Sequence, residues 1–93
     1  MRVIQSLSFA KRIKKFKKSQ KEHLDHQIRL IIENPQIGEG KKGDLKGVSV
    51  QKFKIDNLQY LISYRLKKDL LELIIIGPHE NYYRDLKNYL KHR

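Results

Sequence analysis

The sequence predicts an α+β fold in the order β-α-α-β-β-β-α. A small, mainly antiparallel four-stranded sheet is packed by an N-terminal helical hairpin and a C-terminal helix. Three observations predict it. Between Phe9 and Ile32 apolar side chains recur at helical spacing, interrupted once near Ser19. From 48 to 77 the period shortens to that of strands, punctuated by Asp56-Asn57 and Lys68-Asp69. After Gly77-Pro78 the helical spacing returns. A chain of 93 residues fits one domain, 1–93, with a thin core.

The elements follow in order. "MRVIQS" reads as a short strand centred on Val3 and Ile4. Ser8 is the expected N-cap of "FAKRIKKFKKS", whose inner stripe is Phe9, Ile13 and Phe16. Ser19 and Glu22 have capping-box spacing, so a second helix is expected from there, with Leu24, Ile28, Ile31 and Ile32 inward. Asn34-Pro35 ends it, because the residue before proline disfavours the helical region. "QIGEGKKGDLKG", residues 36–47, holds four of the five glycines and reads as a loop. "VSVQKFKI" and "LQYLISYRL" are strands, the second with Leu58, Tyr60, Ile62, Tyr64 and Leu66 on one face. "LLELIII" is apolar on both faces except at Glu72, so it is expected to be central, with Gly77-Pro78 as its stop. Tyr82, Leu86 and Tyr89 or Leu90 then share one side of a closing helix.

Composition narrows the partners. Twenty-one Lys and Arg against ten Asp and Glu give a formal charge of +11. Such a field favours polyanions: RNA, DNA, the ribosome, a membrane surface or an acidic protein. A host with a generally lysine-rich proteome would give the same balance. Without cysteine there is no disulfide and no thiolate metal site, which fits a reducing cytoplasm. The N-terminus lacks the apolar core of a signal peptide, and no apolar run is long enough to span a membrane. His23 and His26, beside Glu22 and Asp25, are the sole candidates for a metal cluster, and nothing else in the sequence supports one. No P-loop, Rossmann fingerprint or Ser-His-Asp order is present.

Four stretches together resemble a known family: "SFAKRIKKFKK" after a short first strand, "IIENP" ending the second helix, "KFKI…YLISYR" across the meander, and "IIIGPHENYYRDL" at the close. In this order they resemble the RelE/ParE superfamily of toxins from type II toxin–antitoxin pairs, in its RelE/YafQ-like branch. The resemblance covers nearly the whole chain. It implies a small sheet packed by a helical hairpin, and neutralisation by a cognate antitoxin in an oligomeric complex. It also implies ribosome-dependent cleavage of mRNA without metal or other cofactor. In the ParE type it implies instead inhibition of DNA gyrase with no cleavage.

Lys52 and Lys54 leave one face of a strand, as two ammonium groups able to hold a phosphate or as a plain solvated face. The resemblance favours the first, because RelE-type nucleases place a lysine pair on this strand. Arg65 is a candidate bidentate phosphate clamp. Leu61 stands where RelE has an arginine. His79 can exchange a proton near neutral pH, and surrounding cations favour its neutral form. It could equally be a polar residue at a helix start. The YafQ-like pattern has a histidine here with an aromatic residue four positions on, which is Tyr83. Tyr82 and Tyr83 cannot both face the core, so one packs and the other is free to stack on a base; the resemblance assigns Tyr83 to the site and Tyr82 to packing and secondarily to substrate. Asn81 caps the helix or reads a base edge. Lysines 11–21 on the basic helices read as a solvated face; the resemblance implies that they also contact ribosomal RNA, as a salt-sensitive surface. Two functional classes follow: an mRNA endonuclease using Lys52, Lys54, His79 and Tyr83, or a non-enzymatic gyrase inhibitor. A decayed toxin that retains only antitoxin binding is a third reading, motivated by Leu61.

Overall fold

Five strands form one mixed sheet in the order β1-β5-β4-β3-β2. The computed structural model describes residues 2–78 and 82–92. The strands are β1 (Arg2–Gln5), β2 (Glu39–Gly40), β3 (Ser49–Ile55), β4 (Leu58–Lys67) and β5 (Leu70–Pro78). The helices are α1 (Leu7–Ile13), α2 (Lys18–Glu33) and α3 (Tyr82–His92). β3, β4 and β5 are the antiparallel meander, and β1 joins β5 in parallel. The fold is α+β, with five strands rather than the expected four. The extra one is β2, a two-residue strand inside the glycine-rich segment, pairing Glu39 with Val50 and Gly40 with Ser49.

Alternation along the strands sorts the side chains into two layers. Phe53, Ile55, Ile62, Tyr64, Leu71, Leu73 and Ile76 meet the helical hairpin through Phe9, Leu24 and Ile31. Val48, Val50, Leu61, Ile74 and Ile75 meet α3 through Tyr82 and Leu86. The second layer depends on a β-bulge. Ser63 opposes Ile75 while Tyr64 opposes Leu73, so Ile74 is the extra residue and both Ile74 and Ile75 turn toward α3. Each fully buried side chain of this size contributes about 2 kcal/mol.

Turn chemistry holds the meander. Asp56 and Asn57 both have positive φ, 51° and 70°, the conformation of a two-residue hairpin whose twist matches the strands. Lys68, at φ 50°, turns β4 into β5.

The helical hairpin starts earlier than the sequence suggests. Ser6, not Ser8, caps α1: its Oγ accepts from the Phe9 N–H and donates to the Ile74 carbonyl. α1 ends at Ile13, and α2 opens with the Lys17 N–H donating to Gln20 Oε1 at 2.8 Å, instead of through Ser19 and Glu22. Ser6 reaches a strand carbonyl that Ser8 does not, so tertiary contact selects the cap.

Gly77-Pro78 does not stop β5, which runs through both residues with Gly77 opposite Leu61 and Pro78 opposite Tyr60. Pro78 is tolerated because β1 pairs β5 only as far as Leu73. Beyond that point β5 has an open edge, where a missing N–H costs no ladder bond. α1 covers this edge: Ser6 N–H donates to Leu73 O, and Arg12 Nη1 donates to Ile76 O at 3.0 Å.

Candidate functional site

Lys52 and Lys54 leave β3 on the same face as Val50, which α3 buries. Both lysines are exposed, so they emerge just past the margin of α3. Two residues along a strand separate their Cα atoms by about 7 Å. Lys52 opposes Leu61, and Leu61 opposes Gly77, so one row crosses three strands from a cation to the end of β5. The described chain leaves β5 at Pro78 and resumes at Tyr82, whose ring lies 3.7 Å from where a Gly77 Cβ would stand. Both flanks of the segment carrying His79 and Asn81 therefore lie by this row. His79 and Asn81 themselves fall outside the described residues.

Tyr82 is buried, and its hydroxyl donates to the Ile75 carbonyl at 2.7 Å. Burial pushes this phenol well above the ordinary tyrosine range, so it stays protonated and serves as a donor. Tyr83 is half-buried. Its ring meets Tyr82 edge-on at 5.7 Å, and Lys41 Nζ stands 5.0 Å from its centroid. A hydrogen bond with Tyr83, and secondarily Glu39 at 3.3 Å, raises the Lys41 pKa against the opposing effect of burial. Lys41 thus already covers the aromatic face that the sequence assigned to a base. Stacking on Tyr83 would require that lysine to share or vacate the ring.

Arg65 is not part of this group. The bulged register puts it opposite Glu72, four residues along β4 from Leu61, or about 13 Å. There its Nε and Nη2 both donate to Glu72 Oε1, at 2.9 and 2.7 Å. A guanidinium engaged in this way and at this distance is a structural tie between β4 and β5, not a clamp beside Lys52. The face holding Leu61 and Ser63 also proves as dry as the other, since neither residue is exposed. An arginine at position 61 would have no room under α3.

Arg12 is the cation that sequence reasoning missed. Its guanidinium reaches round the open edge of β5 to the α3 face, where Nη2 pairs with Asp85 Oδ2 at 3.5 Å. Nη1 lies 2.8 Å from the ideal Gly77 Cβ position, so Gly77 is small because a guanidinium occupies that space. The sequence carried a signal: Arg12 is three residues after Phe9 and adjoins Ile13, at the border of the inward stripe. Lys41 had no comparable signal, since it lies in a loop without periodicity.

Lysines 11, 14, 15, 17, 18 and 21 are exposed along the hairpin and form a broad cationic surface. His23 and His26 line a shallow groove with Ser19 and Glu22. Among the described residues no group of three His, Asp or Glu side chains is placed to hold a metal ion. Nor is any described helix long and apolar enough to cross a membrane.

The model of the ParE-like toxins of type II bacterial toxin-antitoxin systems matches residues 3–87. Among solved structures, the intact E. coli RelBE toxin-antitoxin complex gives a TM-score of 0.68 at 18% identity, covering 85% of this chain and 96% of that chain. The isolated E. coli RelE toxin gives 0.65 at 18% identity, covering 94% and 96%. A conserved hypothetical protein from Helicobacter pylori gives 0.51 at 23% identity, covering 85% and 94%. No curated protein matches the chain.

Proposed function

Because the chain belongs to the ParE-like toxins of type II toxin–antitoxin systems, we propose that it is the toxin of such a pair and acts as a ribosome-dependent mRNA endonuclease. The observation that carries this reading is the exposed pair Lys52 and Lys54, on the face and row that lead to both flanks of His79. Two ammonium groups on a rigid strand can seat a phosphodiester and stabilise the charge that grows on it in the transition state.

In the proposed route His79 takes the proton of a ribose 2′-hydroxyl. The resulting oxygen attacks the adjacent phosphorus, and the bond to the 5′-oxygen breaks. That oxygen leaves and takes a proton from water, so the products carry a 2′,3′-cyclic phosphate and a 5′-hydroxyl. Lys52 and Lys54 hold the non-bridging oxygens, and Tyr83 orients the nucleotide once Lys41 yields part of its ring. No metal or cofactor enters this route. The lysines of the hairpin contact ribosomal RNA, and a cognate antitoxin in an oligomeric complex silences the toxin. Tyr82, buried with its hydroxyl on Ile75 O, holds α3 on the sheet and does not meet substrate. Arg65, tied to Glu72, has no direct role.

The family match is equally compatible with a second reading, a non-enzymatic inhibitor of DNA gyrase. Inducible expression of the wild type and His79→Ala in a bacterium, with RNA ends mapped after growth arrest, separates the two. Cuts within translated messages that vanish in the variant support the nuclease. Arrest with intact messages and a DNA-damage response supports gyrase, and no arrest at all points to a decayed toxin.

A further inference from the structure

The start of α3 is gripped from three sides. Beneath it, the Tyr82 hydroxyl donates to Ile75 O. On the β2 side, Lys41 meets Tyr83. On the open edge of β5, Arg12 bonds Ile76 O with Nη1 and Asp85 with Nη2. The third grip differs in kind, because it comes from the opposite layer. Arg12 belongs to α1, which packs on the far face of the sheet.

We propose that Arg12 is a positioning residue of the site: it clamps the first turn of α3 onto the end of β5 and thereby sets Tyr83 relative to Lys52. As far as turnover is concerned, this rests on the nuclease reading. Arginine suits the task because its planar fork serves a carbonyl and a carboxylate at once. Gly77 leaves the bare backbone on which the fork lies, since a Cβ there would stand 2.8 Å from Nη1. Asp85, in the first turn of α3, also suits the positive end of that helix, so the clamp and the helix dipole reinforce each other. Arg12 is not itself a phosphate ligand of the lysine pair. The buried Leu61 lies between its row position and Lys52, and its two outer nitrogens already have partners.

The test has two independent readouts on the full chain. Amide hydrogen exchange reads the clamp without reference to activity. In Arg12→Ala the amides of Leu86 to Tyr89, the first in α3 with helical partners, should exchange about tenfold faster or more, while those of α2 and β4 stay protected. Cleavage of messages on programmed ribosomes reads its consequence. Arg12→Ala should lower kcat about tenfold or more with KM nearly unchanged, because a small misplacement of an orienting group costs rate. Arg12→Lys should recover part of that loss. In a Tyr83→Ala background, Arg12→Ala should cost little more. If Arg12→Ala does not fold, Asp85→Asn tests the same clamp from its other end and should give the same pattern, weaker. Unchanged exchange in α3 would overturn the proposal. A rise in KM alone, or losses that multiply with Tyr83→Ala, would do the same by making Arg12 a direct ligand. If the wild type cuts no message, the nuclease reading falls and the exchange alone decides the clamp.

Discussion

Lys52 and Leu61 stand directly opposite each other across β3 and β4, yet the first is exposed and the second has no accessible surface. The margin of α3 runs between them. That boundary divides residues that can meet a substrate from residues that hold the helix in place, and the two groups should respond differently to substitution.

Lys52→Ala and Lys54→Ala should leave thermal unfolding within about 0.5 kcal/mol of the wild type, as exposed positions without packing roles do. Message cleavage should fall in each and fall further in the double variant. Melting curves recorded beside primer-extension maps check both halves. A double variant that cuts as well as the wild type removes the lysines from the mechanism.

Leu61→Arg, the change toward the residue that RelE carries there, should not improve activity. It would force a charge into the dry layer among Val50, Ile75 and Tyr82, at a cost of about 3 kcal/mol or more. The expected outcome is loss of α3 protection, or of folding, in urea titration. A stable and more active Leu61→Arg variant would show that α3 yields easily at this point.

Alkaline stability should report Tyr82. Its folded-state pKa is raised, so the native state keeps the proton after the unfolded chain begins to lose it near pH 10. The stabilisation is complete below that pH and disappears as pH rises further. Tyr64, raised by burial, and Lys41, raised chiefly through Tyr83, act in the same direction. Tyr82→Phe should cost about 1 kcal/mol at neutral pH through the lost bond to Ile75 O, and should flatten the decline above pH 10. Urea midpoints measured from pH 7 to 11 give the comparison. An equal slope in both proteins would mean that Tyr82 does not carry the effect.

Gly77→Ala should destabilise by about 1 kcal/mol, because the new methyl displaces the Arg12 guanidinium from its carbonyl and carboxylate. In an Arg12→Ala background the same change should be neutral or slightly stabilising, since alanine suits a strand interior better than glycine. The double-mutant cycle reads the coupling directly. Strict additivity would mean that Gly77 is small for another reason.

Periodicity and turn chemistry made most of the fold legible. The helical hairpin, the three-strand meander, the Asp56-Asn57 turn and the break at Asn34-Pro35 all follow from local patterns that no distant contact has to rescue. What local patterns missed were choices between near-equal neighbours. Ser6 won over Ser8 as a cap because Ile74 O lay within its reach. β5 continued through Gly77-Pro78 because β1 stops at Leu73 and leaves an edge where proline costs nothing. The two-residue β2 is too short to carry any period at all.

The sequence by itself determined the chemistry on offer: a basic chain with paired lysines two apart on one strand, a lone histidine after Gly77-Pro78 and two adjacent tyrosines. Only the tertiary structure decided which groups share a place. Register is a property of paired strands, so Arg65 could be assigned to Glu72 and removed from the lysine pair only once β5 was aligned with its bulge. Arg12 entered the picture because a helix on one face of the sheet sends its guanidinium round an open edge to the other. Contacts between residues this far apart in the chain, such as Arg12 with Ile76 and with Asp85, leave no local periodicity to read; they exist only when packing brings the layers together.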